Sequence, residues 1–226
     1  MTVITSKARE RLARRRWPFQ VIGLTGSLAM GKSTAASMLA RMGLTVFDAD
    51  AAVHDLTGPN GEALSAIAER FPDVIDGHGV DRQALGNTVF DNADALADLE
   101  AILHPLVVKK QHRFLVKHAN QRSRGVVLDI PLLFETGRQK ACDAVIVISA
   151  PFMLQRQRAL LRPGMSDEKF KRILARQMPD KEKQRLANVV IPSSLGKRET
   201  WRRLKHVINA MMNGPSPGMA RSDFNA

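Results

Sequence analysis

Eight residues near the start of the chain, Gly26-Ser27-Leu28-Ala29-Met30-Gly31-Lys32-Ser33, carry the most specific chemistry in the sequence. Glycine, four free positions, glycine, lysine and a hydroxyl residue form the pattern of a loop that cradles the phosphates of a nucleoside triphosphate. Gly26 and Gly31 let the backbone turn its N–H groups toward phosphate oxygens. The helix expected from Lys32 onward offers its unsatisfied N–H donors and positive dipole end to the same anion. Lys32 is placed to reach the β- and γ-phosphates, and the Ser33 hydroxyl to ligate Mg²⁺; Thr34 completes the contacting stretch. ATP and Mg²⁺ are therefore the expected cofactors.

The loop alone does not separate phosphoryl transfer from hydrolysis. Asp48 and Asp50 follow a short apolar run, at the strand end where the crevice of an open parallel sheet lies. Phosphoryl transfer needs positioning, charge neutralisation and an acceptor for the hydroxyl proton, which an aspartate there can supply. One of the pair can equally cap the helix that starts near Ala51, so cap and catalyst both stand open. Asp129, after Val126-Val127-Leu128, resembles the carboxylate that helps hold Mg²⁺ in many such proteins. Ile130 and Pro131 come next, where a hydrolase carries a second acid to polarise water. That absence favours transfer to an alcohol. Arg156, Arg158, Arg162, Arg172 and Arg176 stud a charged stretch that reads as a lid, because arginine forks bind phosphate oxygens and neutralise transition-state charge. Several of them must simply face solvent.

The elements that position these groups alternate. Strands are expected at 20–25, 44–47, 125–130 and 144–148, with a short one at 189–191; helices are expected at 32–42, across 155–185 with breaks at Pro163-Gly164 and Pro179, and at 198–212. Residues 51–121 read as helical, with turns at 58–61 and 76–79 and an interruption at His104-Pro105. The expected fold is α/β: a parallel-sheet P-loop kinase core with a helical substrate-binding region and a helical lid. The core is expected at about 20–60 and 124–212, the acceptor region at 61–123 and the lid at 155–185. A basic extension is expected over 1–19 and a disordered tail over 213–226.

With 226 residues, 44% of them hydrophobic, the chain can bury one substantial core with an appended region. No apolar run reaches the roughly 18 residues of a membrane span. The formal net charge is +12, and the first sixteen residues hold six basic side chains against one acid. That extension reads as solvated and not as a nucleic-acid arm. A single cysteine, Cys142, fits a cytoplasmic setting.

Taken together, the loop, Asp48-Ala49-Asp50, His104-Pro105 and Asp129-Ile130-Pro131-Leu132-Leu133-Phe134-Glu135 resemble the dephospho-coenzyme A kinase family. So does Gln155-x-x-Arg158-x-x-x-Arg162, followed by Gly164, Ser166 and Gln177. The likeness runs from about 21 to 212. It implies phosphorylation of the ribose 3′-hydroxyl of dephospho-coenzyme A by ATP, the last step of coenzyme A synthesis. The sequence does not fix the oligomeric state, and a monomer is the favoured expectation. The likeness also implies Asp50 as the general base, with Lys32, Arg158 and Arg162 at the phosphates. His104 and Leu132, Leu133, Phe134 and Glu135 would then line the acceptor site. Two departures stand out. Leu28, Ala29 and Met30 occupy loop positions where the family often has glycine, and Pro192-Ser193 replaces an asparagine common near the adenine. The competing readings are another small-molecule kinase, of nucleoside, nucleotide or shikimate type, and a nucleic-acid-associated NTPase; the latter lacks its acid after Asp129.

Overall fold

The computed structural model describes residues 17–76, 79–90, 92–121 and 123–213. The basic stretch 1–16 and all of the expected tail after Asn213 lie outside the described residues. Two compact units form, one holding the described residues up to Phe47 and from His118, the other running Asp48–Lys117.

Continuous apolar runs build the first unit. β1 (Gln20–Thr25) and β6 (Ala144–Ser149) are buried at every residue, as strands covered on both faces must be. With β2 (Thr45–Asp48), β5 (Gly125–Asp129) and β7 (Val189–Pro192) they form a five-stranded sheet of order β2-β5-β1-β6-β7. β1 runs parallel to β5 and β6, and β6 to β7. Parallel neighbours require long crossovers, which the helices supply. On one face, Ala35, Ala36, Met38 and Leu39 of α1 (Lys32–Arg41) interlock with Leu204, Val207, Ile208 and Met211 of the C-terminal helix, Lys197–Asn213. On the other, Leu133 and Cys142 close over Gly23 of β1. Phe19, assigned to the extension by the sequence, is buried and stacks on Trp17, an apolar lead-in to β1.

The second unit holds α2 (Ala49–Thr57), α3 (Leu64–Arg70), α4 (Arg82–Phe90) and most of α5 (Ala93–Asn120). Leu56, Ile67, Phe71, Leu85, Leu99 and Val107 form its core. Two features differ from the sequence expectation. Where the sequence led to the expectation of a turn at 76–79, the flanking pairs β3 (Ile75–Asp76) and β4 (Gly79–Val80) form a small antiparallel ladder. And α5 runs for 28 residues straight through Pro105. Proline removes one helical hydrogen bond, but His104 and Pro105 are both exposed, while Leu99, Val107, Gln111 and Leu115 keep one buried stripe in register on either side. Packing overrides the local break.

Back in the first unit, the charged stretch resolves into α6 (Phe152–Leu160), α7 (Asp167–Ala175) and α8 (Asp180–Leu186). The breaks fall at Pro163-Gly164 and Pro179, as expected. The Ser166 hydroxyl caps α7 by accepting from the Lys169 N–H at 3.2 Å. The closing helix Lys197–Asn213 is α9. Among the described residues, no helix is long and apolar enough to cross a membrane.

Candidate active site

The phosphate loop begins where β1 ends. A side chain at Gly26 would place its Cβ 2.6 Å from the Ile148 carbonyl of β6, so only glycine lets these strands approach. Gly31 (φ 93°) turns the chain into α1. Among the described residues no side chain caps α1, and its first turn carries no acid. Its leading N–H groups and positive end are thus left for an external anion. Ser33 and Thr34 are exposed there, whereas Ser27 is buried. Ala29 holds a left-handed conformation (φ 61°), and its methyl is buried with Ala159 and Phe170.

Lys32 and Asp129 come together. In the register of the sheet Asp129 stands opposite Leu24, so β5 ends beside the start of the loop. The Lys32 ammonium donates to Asp129 Oδ1 at 2.7 Å. The Thr25 hydroxyl donates to the Pro131 carbonyl at 2.9 Å and ties the two strand ends.

The lid arginines differ from one another. Arg158 is half-buried and donates from Nη1 to the Ser193 hydroxyl (2.9 Å) and from Nη2 to the Ser193 carbonyl (3.0 Å). That hydroxyl in turn donates to the Met30 carbonyl at 2.7 Å. Ser193, flagged in the sequence only as a departure near the adenine, thus links Arg158 to the loop. Arg162 lies exposed beyond the end of α6. Arg156 instead pairs with Asp167 at 2.6 Å.

The segment after β5 is built inward. Leu133 is fully buried and Phe134 nearly so, while Pro131 and Leu132 are half-buried. Glu135 accepts from the Met178 N–H at 2.8 Å and from the Lys183 ammonium at 2.8 Å. Lys183, fully buried on α8, also donates to the Pro131 carbonyl at 3.3 Å. Sequence reasoning passed over Lys183, because Lys181-Glu182-Lys183 reads as a solvated helix face.

Asp48, Asp50 and His104 belong to the second unit. Asp48 Oδ1 accepts from the N–H groups of Asp50 (2.9 Å) and Ala51 (3.0 Å), and so caps α2. Asp50 stands exposed in the first helical turn, and His104 is exposed on α5. The cap therefore falls to Asp48.

A family model described as dephospho-CoA kinase matches residues 20–198, from the first strand to the start of α9. The chain belongs to the dephospho-CoA kinase family. It is 52% identical over 194 residues to the dephospho-CoA kinase of Novosphingobium aromaticivorans, covering 86% of this chain and 95% of that one. Among solved structures it is similar to TT1252 from Thermus thermophilus (TM-score 0.75, 31% identity, 87% of this chain and 99% of that one). It is also similar to dephospho-CoA kinase from Campylobacter jejuni (TM-score 0.59, 25% identity, 86% and 98%). Ala29, which stands where the resemblance leads one to expect glycine, sits at φ 61°, in the left-handed region that glycine adopts freely.

Proposed function

We propose that this chain transfers the γ-phosphoryl group of ATP to the ribose 3′-hydroxyl of dephospho-CoA, giving CoA and ADP, the last step of CoA biosynthesis. The observation that carries the reading is the match to the dephospho-CoA kinase family across the whole span that builds the phosphate loop and its lid. The loop geometry supports it: an uncapped helix start, an exposed Ser33 hydroxyl and a lysine paired with a strand-end carboxylate.

In this reading the loop N–H groups and the start of α1 hold the phosphates, and Lys32 neutralises charge growing on the transferring group. Ser33 and Asp129 are the residues that would hold Mg²⁺. The fit rests on their chemistry: both are hard oxygen donors. Among the described residues no group of three or more His, Cys, Asp or Glu could form a protein cage, which suits an ion that keeps water and phosphate ligands. Bound there, Mg²⁺ would draw negative charge off the phosphate oxygens. Arg158 and Arg162 add positive charge from the lid. Asp50 takes the proton of the attacking hydroxyl, and its neighbour Asp48 is committed to the cap. His104 and Leu132 contact the acceptor, with Leu133, Phe134 and Glu135 fixing the shape of that segment. The reaction belongs in the cytoplasm and is carried out by a monomer.

Mass spectrometry of the product tests the activity: dephospho-CoA should gain one phosphate on its adenosine ribose. Acceptance of nucleosides or shikimate with dephospho-CoA ignored would overturn it. Asp50→Asn should lower kcat by about 10²–10⁴-fold while leaving both KM values nearly unchanged, the loss typical of a missing general base. Asp48→Asn is the control, because asparagine caps about as well as aspartate and should cost little. Equal, modest losses at both positions would remove Asp50 from the base role.

A further inference from the structure

The lid helices hold the phosphate loop by its backbone. Gln155 of α6 donates from Nε2 to the Leu28 carbonyl at 2.9 Å, and Gln177, in the turn after α7, accepts the Leu28 N–H on Oε1 at 3.0 Å. Two side-chain amides, 127 and 149 residues away in sequence, thus take up both polar backbone groups of a single loop residue. Three positions further along α6, on the same helix face, Arg158 reaches Ser193, which holds the Met30 carbonyl. Between these ties Ala159 and Phe170 cover Ala29. Each of the three residues at the crest of the loop is therefore engaged from outside it.

The crest needs that support. Ala29 sits at φ 61°, a region that a residue with a Cβ disfavours and leaves unless its surroundings fix it. Fixing Leu28 in both hydrogen-bonding directions, and the Met30 carbonyl beyond it, leaves the peptide units around Ala29 little freedom. Gln155 is almost wholly buried, where an amide with no partner would be unfavourable, so its bond to Leu28 is part of the fold and not a passing surface contact. The Leu28 N–H points at Gln177, so it is not among the donors turned to phosphate.

We infer that Gln155 and Gln177 are positioning residues for ATP: they clamp Leu28, keep the crest of the phosphate loop in its nucleotide-binding shape, and make that shape depend on the 152–178 segment. The inference rests on the ATP-binding part of the proposed function, and acts through Leu28 without touching the reacting atoms.

Methionine matches glutamine in length and removes the amide, so Gln177→Met, Gln155→Met and the double variant are the test. The probe is Mg²⁺-ATP titrated without acceptor, followed by KM for each substrate, kcat and the melting temperature without ligand. Gln177 is half-exposed, so its variant should fold normally. Each single variant should weaken ATP binding and raise KM for ATP by about 3- to 10-fold, the worth of roughly one hydrogen bond. KM for the acceptor should stay within about twofold. The double variant should lose little more than the worse single one, because both ties fix the one residue, Leu28. The two Gln→Glu variants sharpen this: a carboxylate at 177 still accepts from the Leu28 N–H, whereas at 155 it meets the Leu28 carbonyl with no donor. Gln155→Glu should therefore bind ATP more weakly than Gln177→Glu although both add the same charge. Unchanged ATP affinity in Gln177→Met, or an equal rise in both KM values, would overturn the clamp. Wild-type protein that failed to bind ATP would instead sink the proposed function.

Discussion

Two lysines in the first unit each sit close to one carboxylate, Lys32 at 2.7 Å from Asp129 and Lys183 at 2.8 Å from Glu135, and they differ in their access to solvent. The Lys183 side chain is 0% exposed, and its pair joins α8 to the segment after β5 and, through Glu135, to Met178. The Lys32 side chain keeps 14% exposure at the start of α1, beside the exposed Ser33 and Thr34. Nearly equal distances thus serve a sealed structural tie in one case and a cation that can still meet a phosphate in the other. Removing two charges from water is expensive, and an interior pair recovers that cost only with good geometry and further hydrogen bonds. Lys183 has such a bond, to the Pro131 carbonyl. The comparison teaches that access, more than separation, divides structure from function here.

Substitution can break the comparison on either side. The largest loss of stability should come from Lys183→Met. It leaves Glu135 beneath the lid without its counter-ion and should cost about 3–5 kcal/mol, read in chemical denaturation. Adding Glu135→Leu should recover much of that loss; a single variant that melts like wild type would show that the sealed pair holds nothing together. Lys32→Met should act the other way round. Turnover should fall by about 10²–10³-fold, as when a positioned transition-state partner is lost. Near-normal turnover would remove Lys32 from the mechanism.

The smallest effect should come from a third kind of pair, Arg156 with Asp167, which lies near the surface at the start of α7. Hydrogen bonds from Arg156 and Lys171 hold the Asp167 carboxyl below its ordinary value. A depressed carboxylate stabilises the fold above its unfolded pKa, and that contribution fades as pH falls through the folded value. Wild type should therefore exceed Asp167→Asn slightly in melting temperature at neutral pH and low salt. The gap should close below about pH 4 and shrink with added salt. A gap that persisted unchanged in strong acid would mean that Asp167 acts through its shape.

The sequence made some of these features readable and hid others for physical reasons. The phosphate loop was legible because Gly26, Gly31, Lys32 and Ser33 are demanded locally by a backbone that wraps an anion. The sheet was legible because buried parallel strands leave unbroken apolar runs such as Ala144–Ser149. From the residues alone, either Asp48 or Asp50 could cap α2, and only the bonds that Asp48 accepts from the Asp50 and Ala51 N–H groups give the cap to Asp48. Pro105 misled because the local preference against helix was outweighed by packing along the buried stripe on either side of it, Leu99 and Val107 included. Gln155 and Gln177 were visible only as part of a family pattern and Lys183 not at all, because their partners lie 48 to 149 residues distant and nothing in the spacing of a charged stretch announces which polar groups turn inward.

The cover over Gly23 has a practical side. Cys142 is the chain's only cysteine, and burial pushes its thiol up to about 12. Alkylating reagents and peroxides attack the thiolate, which at neutral pH is then scarcer by several powers of ten than at an ordinary cysteine. The native protein should react with maleimide more slowly than it does once unfolded. Exposed positions thus become open to a single introduced cysteine, so a dye placed at Leu161, 79% exposed just beyond α6, would report on that segment with little background from the wild-type sequence.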